Sequence, residues 1–246
     1  MRWQLLDSHC HIDMPAFDRD RQTVIDRALD AQIALINSGI DLRSNHATKG
    51  LLQYDNIYAA YGLSPLNLNE YKEVDEFIRQ NADSAIAVGE VGLDFYHAKD
   101  EHLRTAQEDT FRYFIKLSQE LNLPLVIHSR DAEGRVFKLA HRVDRAIYHC
   151  YSGNAELLNA IVDCGHYISI PTRVWRSPHH QKLVEAAPQE AIIVETDSPY
   201  QSAHGGRNEP ALVGDAIEAI SKIWDTTFEE TASIVINNTI RAFNLV

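Results

Sequence analysis

The chain has 246 residues, 45% of them hydrophobic and 24% charged, ordinary values for a folded protein long enough to form one large α/β barrel. Its formal net charge of −12 excludes non-specific coating of nucleic acid, which depends on Lys and Arg contacts to phosphate; any phosphate substrate needs a locally positive site. No apolar run is long enough to span a membrane and the N-terminus turns polar too early for a secretory signal, so Cys10, Cys150 and Cys164 are read as reduced thiols of a cytoplasmic protein.

In chain order, short apolar or β-branched runs predict eight strands: Leu5–Ile12, Ile33–Ser38, Ile57–Gly62, Ala85–Gly89, Pro124–His128, Ala146–His149, His166–Ile170 and Ala191–Glu195. Helical periodicity fills the longer gaps. The clearest case is His102–Leu121, where Leu103, Ala106, Phe111, Phe114, Leu117 and Leu121 recur at helical steps. A second helix, Asn154–Cys164, opens on capping-type residues and closes at Gly165. Pro210–Trp224 and Thr227–Phe243 predict two more. This alternation implies parallel βαβ units, and eight of them suit a (β/α)8 TIM barrel formed as a single domain over residues 1–246. An open doubly wound sheet is the competing arrangement. The strand count and the lack of a G-x-G-x-x-G loop after the first strand favour the barrel.

Several apolar runs end in ionisable residues. The first ends in DSHCHID, the fourth carries Glu90, the fifth His128, the sixth His149, and the eighth Glu195 and Asp197. In a barrel those C-terminal ends meet at one mouth, where active sites lie. His9 and His11 share one side of their strand because side chains alternate with period two, and Asp7 is expected on that side one step deeper. Cys10 and Cys150 alternate away and read as packing residues. A His-x-His pair alone is weak evidence of a ligand pair. Six potential ligands (His9, His11, Glu90, His128, His149 and Asp197) at the same ends of five strands are hard to explain by packing, since burying them unpaired costs several kcal/mol per group. They exceed one tetrahedral ion and suit two divalent ions sharing a carboxylate. The remaining histidines, His97 among them, lack this placement and receive no metal role.

These residues resemble the metal-dependent amidohydrolase-like barrels, and more narrowly the TatD family of metal-dependent deoxyribonucleases. The stretches DSHCHID (7–13), VGEVGLDFY (88–96), LPLVIHSRDA (123–132), YHCYSG (148–153), VETDSPY (194–200), RNEP (207–210) and NNTIRAF (237–243) carry the resemblance over nearly the whole chain. One stretch departs from the pattern. Where the family commonly has Gly-x-His-Pro with a substrate-facing histidine, this chain has Gly62-Leu63-Ser64-Pro65, which places Ser64 at the substrate position.

The resemblance implies hydrolysis of DNA phosphodiester bonds in the manner of a 3′–5′ exonuclease. His9, His11 and Asp197 would hold one ion, His128 and His149 the other, and Glu90 would bridge them. A water activated by the ions would attack phosphorus, with Asp197 as general base. Asp7 would either orient a ligand imidazole or form a buried structural hydrogen bond. Arg207 and Arg130 are candidates to grip phosphate, and Tyr96, Tyr151 and Tyr200 to stack on a base, although packing is the expected role of at least two of the three. Four imidazoles make zinc the expected bound species, with magnesium or manganese as working alternatives. DNA is the expected partner, with no membrane and no obligate protein partner. Two other readings stay open: a hydrolase of the same fold acting on a small phosphoester, amide or lactone, and a non-catalytic metal-binding module.

Overall fold

A computed structural model describes residues 3–245. Its strands are β1 (Leu5–Cys10), β2 (Ile33–Ser38), β3 (Ile57–Tyr61), β4 (Ala85–Asp94), β5 (Leu125–Arg130), β6 (Ala146–Tyr148), β7 (Tyr167–Pro171) and β8 (Ile192–Glu195). They form one eight-stranded parallel sheet in the order β1 to β8. Sequences such as IALINS in β2 and IIVE in β8 are buried along their whole length, as strands covered on both faces must be. The barrel closes where β1 meets the end of β8: Asp197 N donates to His9 O (2.9 Å) and His11 N to Ser198 O (2.9 Å).

The helices are α1 (Arg21–Asp30), α2 (Leu42–Leu51), α3 (Tyr71–Gln80), α4 (Glu101–Leu121), α5 (Glu133–Ala140), α6 (Ala155–Asp163), α7 (Pro178–Ala186), α8 (Gly214–Trp224) and α9 (Phe228–Phe243). In α4 the Asp100 side chain caps Leu103 N, and Phe111, Phe114 and Leu117 are turned to the barrel. Asn154 does the same for α6 through Leu157 N. The segment read as one helix over Pro210–Trp224 is instead a 3-10 turn, Pro210–Leu212, followed by α8. Among the described residues no helix is long and apolar enough to cross a membrane.

Two irregularities aim the site. Between Val88↔Leu125 and Val91↔Ile127, β4 carries one residue more than β5, a bulge that falls on Gly89-Glu90. Pairing then resumes to Asp94, so β4 runs five residues past the predicted Gly89 end. Backbone crowding here demands glycine. A Cβ on Gly62 would lie 2.5 Å from Glu90 N, and one on Gly92 would lie 2.0 Å from His128 O. A similar extra residue lies in β1 between Asp7↔Leu35 and Cys10↔Asn37.

Candidate metal centre

The bulge turns Glu90 into the mouth, where its two carboxylate oxygens face different histidine pairs. Oε2 lies 3.2 Å from His9 Nε2 and 3.3 Å from His11 Nε2. Oε1 lies 2.7 Å from His128 Nδ1 and 3.0 Å from His149 Nε2. Asp197 Oδ1 approaches His11 Nε2 at 3.7 Å. The donor atoms of His9, His11 and Glu90 lie within 4.8 Å of one another, and so do those of Glu90, His128 and His149. All six residues singled out in the sequence therefore meet at one place.

Groups not recognised in the sequence hold the imidazoles. His11 Nδ1 donates to Ser38 O (2.8 Å), and Ser38 Oγ lies 3.2 Å from His9 Nδ1, both from the end of β2. Asp94 Oδ2 lies 3.3 Å from His128 Nε2 and 2.9 Å from His97 Nδ1. Glu195 is fully buried, accepts a short hydrogen bond from Ser169 Oγ, and places Oε1 3.7 Å from His149 Nδ1. Carboxylates and carbonyls behind ligating histidines set the tautomer and ring orientation. The only signal for them in the sequence was an acid or a serine at a strand end.

Asp7 is not one of these groups. The extra residue in β1 breaks the alternation, and its carboxylate accepts from Thr196 N (2.8 Å), Thr196 Oγ1 (2.6 Å) and His9 N (3.3 Å). It ties the first strand to the last, which is the structural alternative. Burial pushes its pKa up to about 8 against those hydrogen bonds.

The electrostatics suit a cation. Burial favours protonated Glu90, yet the surrounding His149, His11 and His128 outweigh it and hold the carboxyl well below its ordinary range. Burial lowers His11, but Glu90 and Asp197 raise it to about 9, and Glu90 and Glu195 likewise raise His149 well above its ordinary value. His9 goes the other way, to about 4, through burial and the His149 ring stacked on it at 4.0 Å. The acidic groups Glu90 and Glu195 beside His11 and His149 thus favour positive charge here, which a bound cation would supply. A neutral nitrogen-rich donor set around a shared carboxylate fits divalent transition ions.

Above the centre is a cavity of about 700 Å³. Ser64 and Arg130 line it, the Arg130 guanidinium lying 3.9 Å from the centroid of the exposed Tyr96 ring. Tyr200 lines it and is exposed, whereas Tyr151 is buried with its hydroxyl donating to Asn154 O. Of the three tyrosines Tyr200 alone lines the cavity, while Tyr96 packs against Arg130 and His97. Cys10 lies on the packed side, its thiol against Ile36 O and Asn37 Oδ1, but Cys150 is only half-buried and lines the cavity. With φ at +45°, Cys150 has left the strand geometry on which its expected alternation depended. Arg207 is outside the cavity altogether. It makes a bidentate pair with Asp20 (2.7 and 2.5 Å), donates to Ala16 O and covers the Phe17 ring, so its guanidinium is already engaged.

The profile of the TatD related DNase family matches residues 6–244. This chain belongs to that family. It is 38% identical over 243 residues, 97% of this chain and 96% of the relative, to an uncharacterized metal-dependent hydrolase of Methanocaldococcus jannaschii. With the human deoxyribonuclease TATDN3 it shares 29% over 258 residues, 97% of this chain and 94% of that one. The crystal structure of YjjV, a TatD homolog of Escherichia coli, superposes with a TM-score of 0.90 over the full length of both chains at 24% identity, which speaks to the fold alone. The TatD chain described here is a metal-dependent hydrolase with its candidate centre at the C-terminal mouth of a (β/α)8 barrel.

Proposed function

We propose that this TatD-family hydrolase cleaves phosphodiester bonds of DNA, removing nucleotides from the 3′ end, with two divalent ions at the centre. The observation that carries the reading is Glu90, one carboxylate oxygen turned to His9 and His11 and the other to His128 and His149. Zinc suits those four imidazoles, and magnesium or manganese are the ions to test beside it. The name of the human relative supports DNA as substrate.

His9, His11 and Asp197 would hold one ion, His128 and His149 the other, with Glu90 shared between them. When bound, the ions supply Lewis acidity at the phosphoryl oxygens and an acidified water. The chain's own residues do the rest. Asp197 is the proton acceptor, its carboxylate lining the cavity with Oδ1 3.7 Å from His11 Nε2. Ser38, Asp94 and Glu195 hold the imidazoles in register. Arg130, its guanidinium 3.9 Å from the Tyr96 ring centroid, offers planar donors to phosphate.

A second reading, hydrolysis of a small phosphoester, amide or lactone, is favoured by Ser64, which leaves the β3 side of the cavity without an imidazole donor. One assay separates the two. The metal-loaded protein is incubated with 3′-labelled single-stranded DNA across a panel of divalent ions, and labelled mononucleotide is the expected product. Release of no nucleotide, with turnover of a small ester or lactone, selects the second reading.

A further inference from the structure

The cavity receives side chains from the end of every strand, and the segment after β7 contributes one alone, Arg173. Arg173 lies in a 3-10 turn, Thr172–Arg176, between buried Thr172 and Val174. That turn is rigidly held. Thr172 Oγ1 donates to Gln201 O (2.8 Å) and accepts from Asn208 Nδ2 (2.9 Å), while Gln181 Nε2 donates to Val174 O (3.0 Å). The Arg173 side chain itself is exposed, and among the described residues it has no hydrogen bond or ion pair. The other arginine lining the cavity, Arg130, stands over the Tyr96 ring on the β5 side, where the reading above gives it the phosphate at the centre.

β7 supplies none of the six candidate ligands, and Arg173 reaches the cavity from the turn beyond it. It stands two strands from Arg130, or about 10 Å at the usual strand spacing. Asp131 and Glu133 stand on the cavity wall near Arg130, and the chain as a whole is strongly negative. A polyanion entering this mouth needs a cation away from the reacting phosphate to offset that repulsion.

We propose that Arg173 binds a phosphate other than the one being cleaved, so that the preferred substrate is a nucleotide chain with at least two phosphates rather than an isolated diester. This rests on the phosphodiesterase reading above. Arg173 is a specificity-determining residue in this scheme.

The test compares the dinucleoside monophosphate dTpdT, which has the scissile phosphate alone, with the tetranucleotide dT4, using wild type, Arg173→Gln and Arg173→Lys. For dT4, Arg173→Gln is expected to raise KM about tenfold, the loss of one charge-assisted contact, with kcat changed far less. The slope of log kcat/KM against log salt should flatten by about 0.7, the value for one single-strand phosphate contact. For dTpdT the loss should be clearly smaller. Arg173→Lys should restore the salt slope but only part of the affinity, since a lysine cannot bind bidentately. Equal losses on the two substrates, or none on dT4, would overturn the proposal. Wild type that binds dT4 without cutting it, in an Arg173-dependent way, would sink the nuclease reading while leaving the phosphate site standing. Failure of the wild type to bind or cut dT4 would remove both.

Discussion

Glu90 places one carboxylate oxygen before each histidine pair, and the groups behind the histidines decide how well those pairs are aimed. Asp94→Asn and Glu195→Gln keep the shape of each side chain while removing its charge from His128 and His149. Each is expected to weaken divalent-ion affinity about 10–100-fold in calorimetric titration of the stripped protein. Unchanged affinity for both would mean that neither carboxylate positions a ligand. Arg207 belongs to a different class, because Asp20 and the Ala16 carbonyl engage its guanidinium outside the cavity. Arg207→Ala should lower stability by about 1 kcal/mol in urea unfolding and leave KM for DNA unchanged. A raised KM with unchanged stability would return Arg207 to the substrate site.

At the scale of an element, α7 carries an acid-sensitive group. His180 is buried, its Nδ1 2.8 Å from Oγ of Ser177, the residue that caps the helix. Burial first, then the neighbouring His179 and Arg173 charges, lower its pKa from 6.5 to about 4. Above pH 6.5 the ring is neutral in both folded and unfolded chains and contributes no pH dependence. As the pH falls from 6.5 towards 4, the unfolded chain takes up a proton that the fold refuses, and stability drops by about 3 kcal/mol in all. Urea unfolding at pH 7 and pH 4.5 should show a shallower acid loss in His180→Asn than in wild type. Parallel curves would place the acid sensitivity elsewhere. Burial also lowers His166, whose Nε2 donates to Val143 O, so that ring adds to the fall in both proteins.

For the whole molecule, the candidate ligands join β1, β4, β5, β6 and the end of β8, so an ion bound there is linked to closure of the barrel. An ligand at 100 times its dissociation constant stabilises the fold by about 2.7 kcal/mol. For a chain of this size that corresponds to roughly 5–10 °C in Tm. Stripping the protein with a chelator should lower Tm by that amount, and zinc, manganese or magnesium should restore it in order of affinity. An identical Tm before and after stripping would argue that no ion joins these strands.

Much of this was legible in the chain because its strongest signals are local. Eight apolar runs with helical periodicity between them imply a parallel barrel, and His9, His11, Glu90, His128, His149 and Asp197 stand out because each interrupts or ends such a run. Other features depend on where distant segments come to lie. Arg207 resembles a phosphate-binding arginine until its partner is found 187 residues away in Asp20. Asp7 stands open between orienting a ligand and a structural hydrogen bond until the β1 bulge turns it to Thr196, and Ser38 has no visible role until β2 lies beside the two histidines. Arg173 is one arginine among many until the β7 turn brings it to the mouth. By itself the sequence determined the barrel and singled out the candidate ligand set, because residue type and period are local properties. Only the tertiary structure decided which side chains orient the ligands, which arginine faces the cavity and which is already paired, because those depend on bulges and contacts between residues far apart in the chain.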